Sequence, residues 1–452
     1  MAIHGLWPIT SLLVGIGATY ATGLPLSLGV AFAILVTLVT VRRMGYSCKQ
    51  QFQYGWAGVQ QTKPVLSILF LIGLLIPLLM AGGTIPALIY YGLSVVNVDY
   101  LLLLSFLLAS AISSILGTSM GTLSTIGLPL IGIGHASGVP VGMVAGALIS
   151  GAMVGERFSP ISSSRLLTMN TVELSSERAA SRMNIAAMAA VVFTGCLFLM
   201  MDVMQGNAAA TDMIATYQQL LREQFDVSPL MLFPIAILLL LFLFRLKAVT
   251  ALMGGIVVSA ASALWQPSAD FHTLLTVILD GYELHSGTVL DDMVHGKGID
   301  AVLQILVLII FAGFLNGILN KANLVEPIIT RWMGKSGSCA TLVGKTVLLS
   351  LVVVMIGCNQ TIPILLVGAT LLERYREQPN GSWLLGRTLL DSALLMPVLI
   401  PWNGLAMVMA VTLGVSTVES LPYLIFPMLL PILTILLTRH FVPVKNETAP
   451  AV

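Results

Sequence analysis

The stretch LLLLSFLLASAISSILGTSMGTLSTIGLPLIGIG, Leu101 to Gly134, decides the fold. An α-helix needs about 20 apolar residues to cross the hydrocarbon core of a bilayer, and apolar arms lie on both sides of this stretch's middle. The middle, Gly117-Thr118-Ser119-Met120-Gly121-Thr122-Leu123-Ser124-Thr125, is dense in glycine and hydroxyl residues, which cost helix stability. In lipid an unpaired backbone group costs several kcal/mol, so such a break survives only where it lines a cavity or is buried in protein. The stretch predicts a discontinuous helix whose dipoles and hydroxyl oxygens suit a small ion. Small-residue helix packing is the competing reading.

The rest of the chain agrees with a lipid solvent. Of 452 residues, 57% are hydrophobic and 9% charged, and the mean hydropathy is +0.96. A soluble domain carries about 25% charged residues. The net charge of +1 gives no basic field for nucleic acid. Cys48, Cys196, Cys339 and Cys358 are scattered and suggest neither a disulfide framework nor a metal site. Met1 to Pro8 lacks a basic lead, so the first apolar segment reads as a retained helix.

Apolar runs at 7–22, 24–41, 64–81, 85–97, 99–116, 118–134, 138–155, 183–203, 229–244, 247–265, 300–319, 322–333, 340–357, 361–372, 385–402 and 403–438 give an all-α integral membrane protein with roughly 11 to 13 crossings. Several pieces are too short to cross alone and read as half-helices. Segment 205–228 reads as a short amphipathic piece and the acidic 266–299 as a connecting arm. The expected organisation is N-terminal helices (1–41), a first repeat (42–203), an inter-repeat segment with extra helices (204–277), a second repeat (278–440) and a short polar tail (441–452).

The repeat rests on features recurring 230–240 residues apart. Residues 117–122 align with Gly357-Cys358-Asn359-Gln360-Thr361, Ala81 to Pro86 finds an echo in Ala312 to Gly317, and Pro160 aligns with Pro397 or Pro401. Loop 42–63 holds Arg42, Arg43, Lys49 and Lys63 with no acid, whereas its partner 278–299 is acidic. Loop 92–100 holds only Asp99, whereas its partner 321–335 holds Lys321, Arg331 and Lys335. Basic loops stay cytoplasmic, so two sign flips predict inverted-topology repeats. Chance likeness among apolar segments is the alternative.

Polar groups at bilayer depth are expensive and mark function by default. Gly155-Glu156-Arg157-Phe158-Ser159-Pro160-Ile161-Ser162-Ser163-Ser164-Arg165 sets a carboxylate beside hydroxyls at a helix break. Such a group holds Na⁺ or H⁺ but not both, the chemistry an antiporter needs. A charged helix end reaching for the interface is the plainer reading. Asp391 is an acid within an apolar run, and pairing with Arg387 one turn earlier is its plainer reading. Asn359 and Gln360 offer amide oxygens, or a structural hydrogen bond between helices. Gly117-Thr118-Ser119-Met120-Gly121 also fits GxSxG, but that elbow needs a strand–turn–helix context.

Together, residues 83–92, 117–122, 155–162, Leu384 to Asp391 and Leu399 to Asn403 resemble the NhaC-type sodium/proton antiporter family of the ion-transporter superfamily, from about residue 64 to 438. That family's motif runs Gly-Asp-Lys/Arg-x-Ser-Pro-x-Ser-Asp-Thr-Thr-Asn. Here Glu156 keeps the first acid, Ser163 stands at the second, and Ser164 and Arg165 replace the threonines. The change weakens a Na⁺ site and could favour a carboxylate held by Arg165; the family includes malate/lactate exchangers.

The expected protein is therefore a secondary transporter and not an enzyme. It exchanges Na⁺ for H⁺ by alternating access, with a carrier of a small carboxylate or amino acid as the rival and a channel as a further class. Glu156 and Asp391 are the expected titrating acids. Thr118, Ser119, Thr122, Ser159, Ser162, Asn359, Gln360 and Asn403 are neutral partners, and Na⁺ is expected at Glu156, Ser162 and Asp391. No cofactor is expected beyond the transported ions. The partners are the bilayer, a small cation or organic acid and, as an open option, a second copy. The expected location is the cell (inner) membrane with both termini cytoplasmic.

Overall fold

The computed structural model describes residues 2–174, 184–205, 210–266, 270–284, 286–288, 290–291, 295–333, 338–357, 359–378 and 380–441. The polar tail, Lys335 and Cys358 lie outside them. The fold is all-α apart from one two-stranded hairpin, Gly281–Glu283 with His295–Lys297. Among the described residues seven helices are long and apolar enough to cross a membrane, or up to ten when each bent pair counts as one crossing. That is fewer than the 11 to 13 read from sequence. Short apolar pieces such as Thr84–Val95 and Ala248–Leu264 count as crossings by composition but are only 12 and 17 residues long.

The first half runs α1 (Ala2–Thr22), α2 (Leu26–Arg43), α3 (Cys48–Ala81), α4 (Thr84–Val95), α5 (Leu101–Leu116), α6 (Ser119–Thr122), α7 (Leu128–Ala136), α8 (Val141–Phe158), α9 (Ser163–Thr171) and α10 (Asn184–Gln205). The amphipathic α11 (Ala210–Gln224) meets α12 (Phe233–Leu243) at a bend of 93°. The second half runs α13 (Ala248–Leu264), α14 (Phe271–Asp280), α15 (Ile299–Lys321), α16 (Glu326–Met333), α17 (Cys339–Ile356), α18 (Thr361–Arg376), α19 (Gly381–Asp391), α20 (Gly404–Leu413), α21 (Thr417–Ser420) and α22 (Ile425–Phe441).

The helix ends repeat with a constant offset. Helices α3, α5 and α7 end at Ala81, Leu116 and Ala136; α15, α17 and α18 end 240 residues later, at Lys321, Ile356 and Arg376. Likewise α8 and α19 start at Val141 and Gly381. The echo between Ala81–Pro86 and Ala312–Gly317 does not survive this alignment. Gly83 (φ +73°) instead corresponds to Asn323 (φ +51°), both in left-handed backbone after a long helix. Gly313 and Gly317 lie inside α15, where they pack on α3: a Cβ on Gly58 would sit 2.1 Å from the Gly313 carbonyl oxygen. Small residues at this spacing let helices approach closely in lipid.

That packing also fixes the relation of the halves. A Cβ on Gly317 would meet the Tyr54 carbonyl, whereas one on Gly313 would meet Thr62. The equivalent helices α3 and α15 therefore run antiparallel, as inverted repeats require.

Each half contributes a helical hairpin and a broken helix. In the first hairpin α5 runs to Gly117, where φ is +71°, and α6–α7 return until Gly134 lies beside Leu101. In the second, α17 runs to Gly357 and α18 returns, so that Thr346 bonds Tyr375 and Cys339 bonds Gln378. The broken helices are α8–α9, interrupted at Ser159-Pro160-Ile161-Ser162, and α19–α20, interrupted over 392–403 and bent by 57°. Proline ends a helix by removing an N–H and clashing with the preceding turn.

Candidate functional site

A hydrogen-bonded chain joins all four interruptions. Ser119, just past the first hairpin tip, donates its hydroxyl to Glu156 Oε2. Ser164, at the start of α9, lies 2.8 Å from Glu156 Oε1 and 2.6 Å from Gln360 Oε1 at the second hairpin tip. Gln360 donates its amide to the carbonyl of Leu394, within the break after α19, at 2.7 Å. At about 1.5 Å per helical residue, Glu156 lies about 22 Å from the start of α8, close to the break that ends it.

The Ser164 hydroxyl stands between two oxygens in this chain. The Gln360 amide hydrogens face the Leu394 carbonyl, so its oxygen faces Ser164. A hydroxyl has one proton, which Ser164 gives to Gln360. Ser164 therefore cannot donate to Glu156 Oε1 at the same time. Flipping the amide does not help, because it would set two oxygens 2.7 Å apart at Leu394. Glu156 is 7% exposed and, among the described residues, forms no ion pair. A buried charge without a partner is costly, so groups of this kind are kept where they act. Nearby, the Ser159 hydroxyl is 2% exposed and has no hydrogen-bond partner among the described residues.

The adjacent residue on α8 faces a different environment. Arg157, fully buried, reaches Asp391 Oδ1 through Nε and Nη2, each at 2.9 Å, and donates to Asn184 at 2.8 Å. Asp391, also fully buried, accepts from Thr434 at 2.7 Å, and Arg387 Nε lies 3.5 Å from its Oδ2. The ion pair joins the ends of α8 and α19, the points where the two broken helices stop.

Of the residues read from sequence, Glu156, Ser119 and Gln360 come together and Ser159 lies in the adjoining break. Thr118 caps α6 and takes the Thr122 hydroxyl on its carbonyl oxygen. Ser162 caps α9 by accepting from the backbone N–H of Arg165. Arg165 donates to the carbonyl oxygens of Arg157 and Phe158, at 2.8 and 3.4 Å, closing the end of α8. Asn359 accepts from the Ile362 backbone N–H at the hairpin tip. Asn403 caps α20 and donates to the carbonyls of Val354 and Gly357, tying the second break to the second hairpin. Asp391 keeps separate partners from Glu156, and among the described residues no hydrogen bond links Glu156, Ser162 and Asp391 directly. Sequence reasoning passed over Ser164 and Arg157 as partners. The serine run around Pro160 carried a signal for the first; the second pairs with a residue 234 positions away.

The sequence profile of the Na⁺/H⁺ antiporter family matches residues 168–440, beginning just past the break that holds Glu156. Relatives align over nearly the whole chain. The Na⁺/H⁺ antiporter NhaC of Alkalihalophilus pseudofirmus is 29% identical over 86% of this chain and 84% of its own length. The malate-2H⁺/Na⁺-lactate antiporter of Bacillus subtilis is 27% identical over 89% and 86%. The arginine/ornithine antiporter ArcD of Halobacterium salinarum is 26% identical over 92% and 86%.

Proposed function

The chain belongs to the Na⁺/H⁺ antiporter family, and from that premise we propose that it exchanges Na⁺ for H⁺ by alternating access, with Glu156 as the group for which the two ions compete. The observation that carries this reading is the buried Glu156 carboxyl among neutral oxygens in the chain from Ser119 to Leu394, with no ion pair among the described residues. In this reading Glu156 carries the proton when Na⁺ is absent. Na⁺ binding replaces the proton with a metal ion, so the carboxylic acid and Na⁺ give a sodium carboxylate and a released H⁺, with charge and atoms balanced. Hard cations take oxygen ligands, and the Ser119 and Ser164 oxygens already face the carboxyl group, with the Gln360 oxygen next to Ser164. Ser159 adds an oxygen with no competing hydrogen bond among the described residues.

The competition needs no fixed counter-ion. A cation paired with Glu156 would hold it ionised and repel Na⁺. The neighbouring cation, Arg157, is engaged by Asp391 instead.

A carrier, not a hydrolase, fits these elements. The GxSxG run forms a helix that passes into a π-helical turn, Leu123–Gly127, not a strand–turn–helix elbow. The protein resides in the cell membrane with the basic ends at Arg43, Lys321 and Arg376, and both termini, in the cytoplasm.

Purified protein in proteoliposomes with an internal pH dye tests the reading. A Na⁺ gradient should drive proton movement, and Glu156→Gln should abolish it. Undiminished exchange in that variant removes Glu156 from the mechanism.

A further inference from the structure

The end of α8 carries a cation that the exchange at Glu156 does not use. Arg165, on the first turn of α9, is 7% exposed. Among the described residues it pairs with no carboxylate. Its guanidinium Nη1 donates instead to the carbonyl oxygens of Arg157 and Phe158, at 2.8 and 3.4 Å. A buried charge without a counter-ion is costly, and inside a membrane such a charge marks a place that acts.

The seat of that guanidinium is itself built for a cation. Helix α8 stops at Phe158, and its last carbonyls have no partner within the helix. That of Gly155 accepts the Ser159 N–H, and those of Arg157 and Phe158 accept Arg165. These carbonyls form the negative end of the helix dipole. Where a helix breaks inside a membrane, such carbonyl ends coordinate Na⁺. The next residue, Ser159, adds a buried hydroxyl that has no hydrogen-bond partner among the described residues. The second broken helix is closed by neutral groups. There the Asn403 amide donates to the carbonyls of Val354 and Gly357 and its oxygen caps α20. The 240-residue offset puts Leu405 where the first half has Arg165. Closing a break thus needs no charge, and the charge at Arg165 has a further reason.

We propose that Arg165 is a tethered cation seated in a second cation site at the end of α8, and that by filling this site it holds the exchange at one Na⁺ per proton. The proposal rests on the reading of Glu156 above and sets the stoichiometry of that exchange. With Arg165 seated, Na⁺ binds at the Glu156 carboxyl alone, and like charge keeps another cation from the α8 carbonyls. One Na⁺ enters as one proton leaves, so no net charge crosses the membrane. With the guanidinium removed, the carbonyl oxygens of Arg157 and Phe158 and the Ser159 hydroxyl are open to a second Na⁺, a hard cation suited to oxygen ligands. Two Na⁺ then move against one proton, and one positive charge crosses in each turnover.

A count of bound Na⁺ on the purified full chain tests this. Equilibrium dialysis with radioactive Na⁺ should give one Na⁺ per chain for the parent and two for Arg165→Ser. In proteoliposomes the parent's exchange should follow Na⁺ with a Hill coefficient of about 1 and ignore an imposed membrane potential; that of Arg165→Ser should rise toward about 2 and respond to the potential. Two controls separate the charge from mere support of the helix end. Arg165→Lys, which keeps a cation, should bind one Na⁺ as the parent does. Millimolar guanidinium chloride should seat in the gap left in Arg165→Ser and return its count to one. Where Arg165→Ser does not purify folded, Arg165→Gln, which keeps a donor without the charge, takes its place. A folded neutral variant that binds no more Na⁺ than the parent overturns the proposal. So does a gain that appears equally in Arg165→Lys, or a parent that itself binds two Na⁺ or responds to the potential. Glu156 is judged separately, because Glu156→Gln should remove one Na⁺ from the parent and from Arg165→Ser alike. Without that loss the reading of Glu156 fails and a gain at Arg165→Ser still stands; with that loss and no gain, the reverse holds.

Discussion

Glu156 and Asp391 are both buried acids at the ends of broken helices, yet their surroundings differ in kind. Asp391 sits between two arginines and a threonine hydroxyl. Among the described residues Glu156 hydrogen-bonds neutral hydroxyls, those of Ser119 and Ser164. An acid between fixed cations is held by its ion pairs and ties α19 to α8. An acid among neutral hydroxyls can be charged or neutral according to which ion is present. In the proposed mechanism the two adjacent residues of α8, Glu156 and Arg157, thus serve different ends: one exchanges ions, the other anchors the helices around the exchange.

Five variants would break or sharpen this contrast. The largest effect on transport is expected from Glu156→Gln, which should eliminate Na⁺-driven proton movement while the protein still folds and purifies as the parent does. The largest effect on stability is expected from Asp391→Asn. Removing one partner of a buried ion pair costs about 3–5 kcal/mol, read as a lower unfolding temperature in detergent. The double variant Arg157→Met with Asp391→Leu should recover most of that loss and retain exchange; a double variant that folds but does not transport would move Asp391 into the ion site.

Ser164→Ala should be milder. It removes the hydroxyl shared by Glu156 and Gln360, and a loss of about 1.4 kcal/mol would slow initial exchange about tenfold. Asn403→Ala should be the mildest, lowering stability by about 1 kcal/mol through its lost cap and carbonyl bonds, with the transport rate nearly unchanged.

Much of the fold was legible because lipid is a strict solvent. Apolar runs announced the helices, and Gly117, Pro160 and the Gly357–Gln360 stretch announced the breaks. Ser119, Glu156 and Gln360 were readable for the same reason, as polar groups where they are expensive. What the sequence hid was pairing. Nothing near Asp391 in the chain points to Arg157, and its visible neighbour Arg387 proved a secondary contact at 3.5 Å. Arg165 looked like a grip for a carboxylate, but its guanidinium closes a helix end. The repeat was visible as charge reversal and in the match of Gly117 to Gly357, which has the 240-residue offset of the helix ends; the echo of Ala81–Pro86 in Ala312–Gly317 lay out of register. The glycines of Ala312–Gly317 imitated a break because packing and interruption both favour glycine.

The most direct test of the account is a proton count. Na⁺ added to purified protein in weakly buffered detergent solution should release protons from the parent and from the Arg157→Met, Asp391→Leu variant, and none from Glu156→Gln. Proton release that persists in Glu156→Gln would contradict the assignment of the exchanged proton to Glu156.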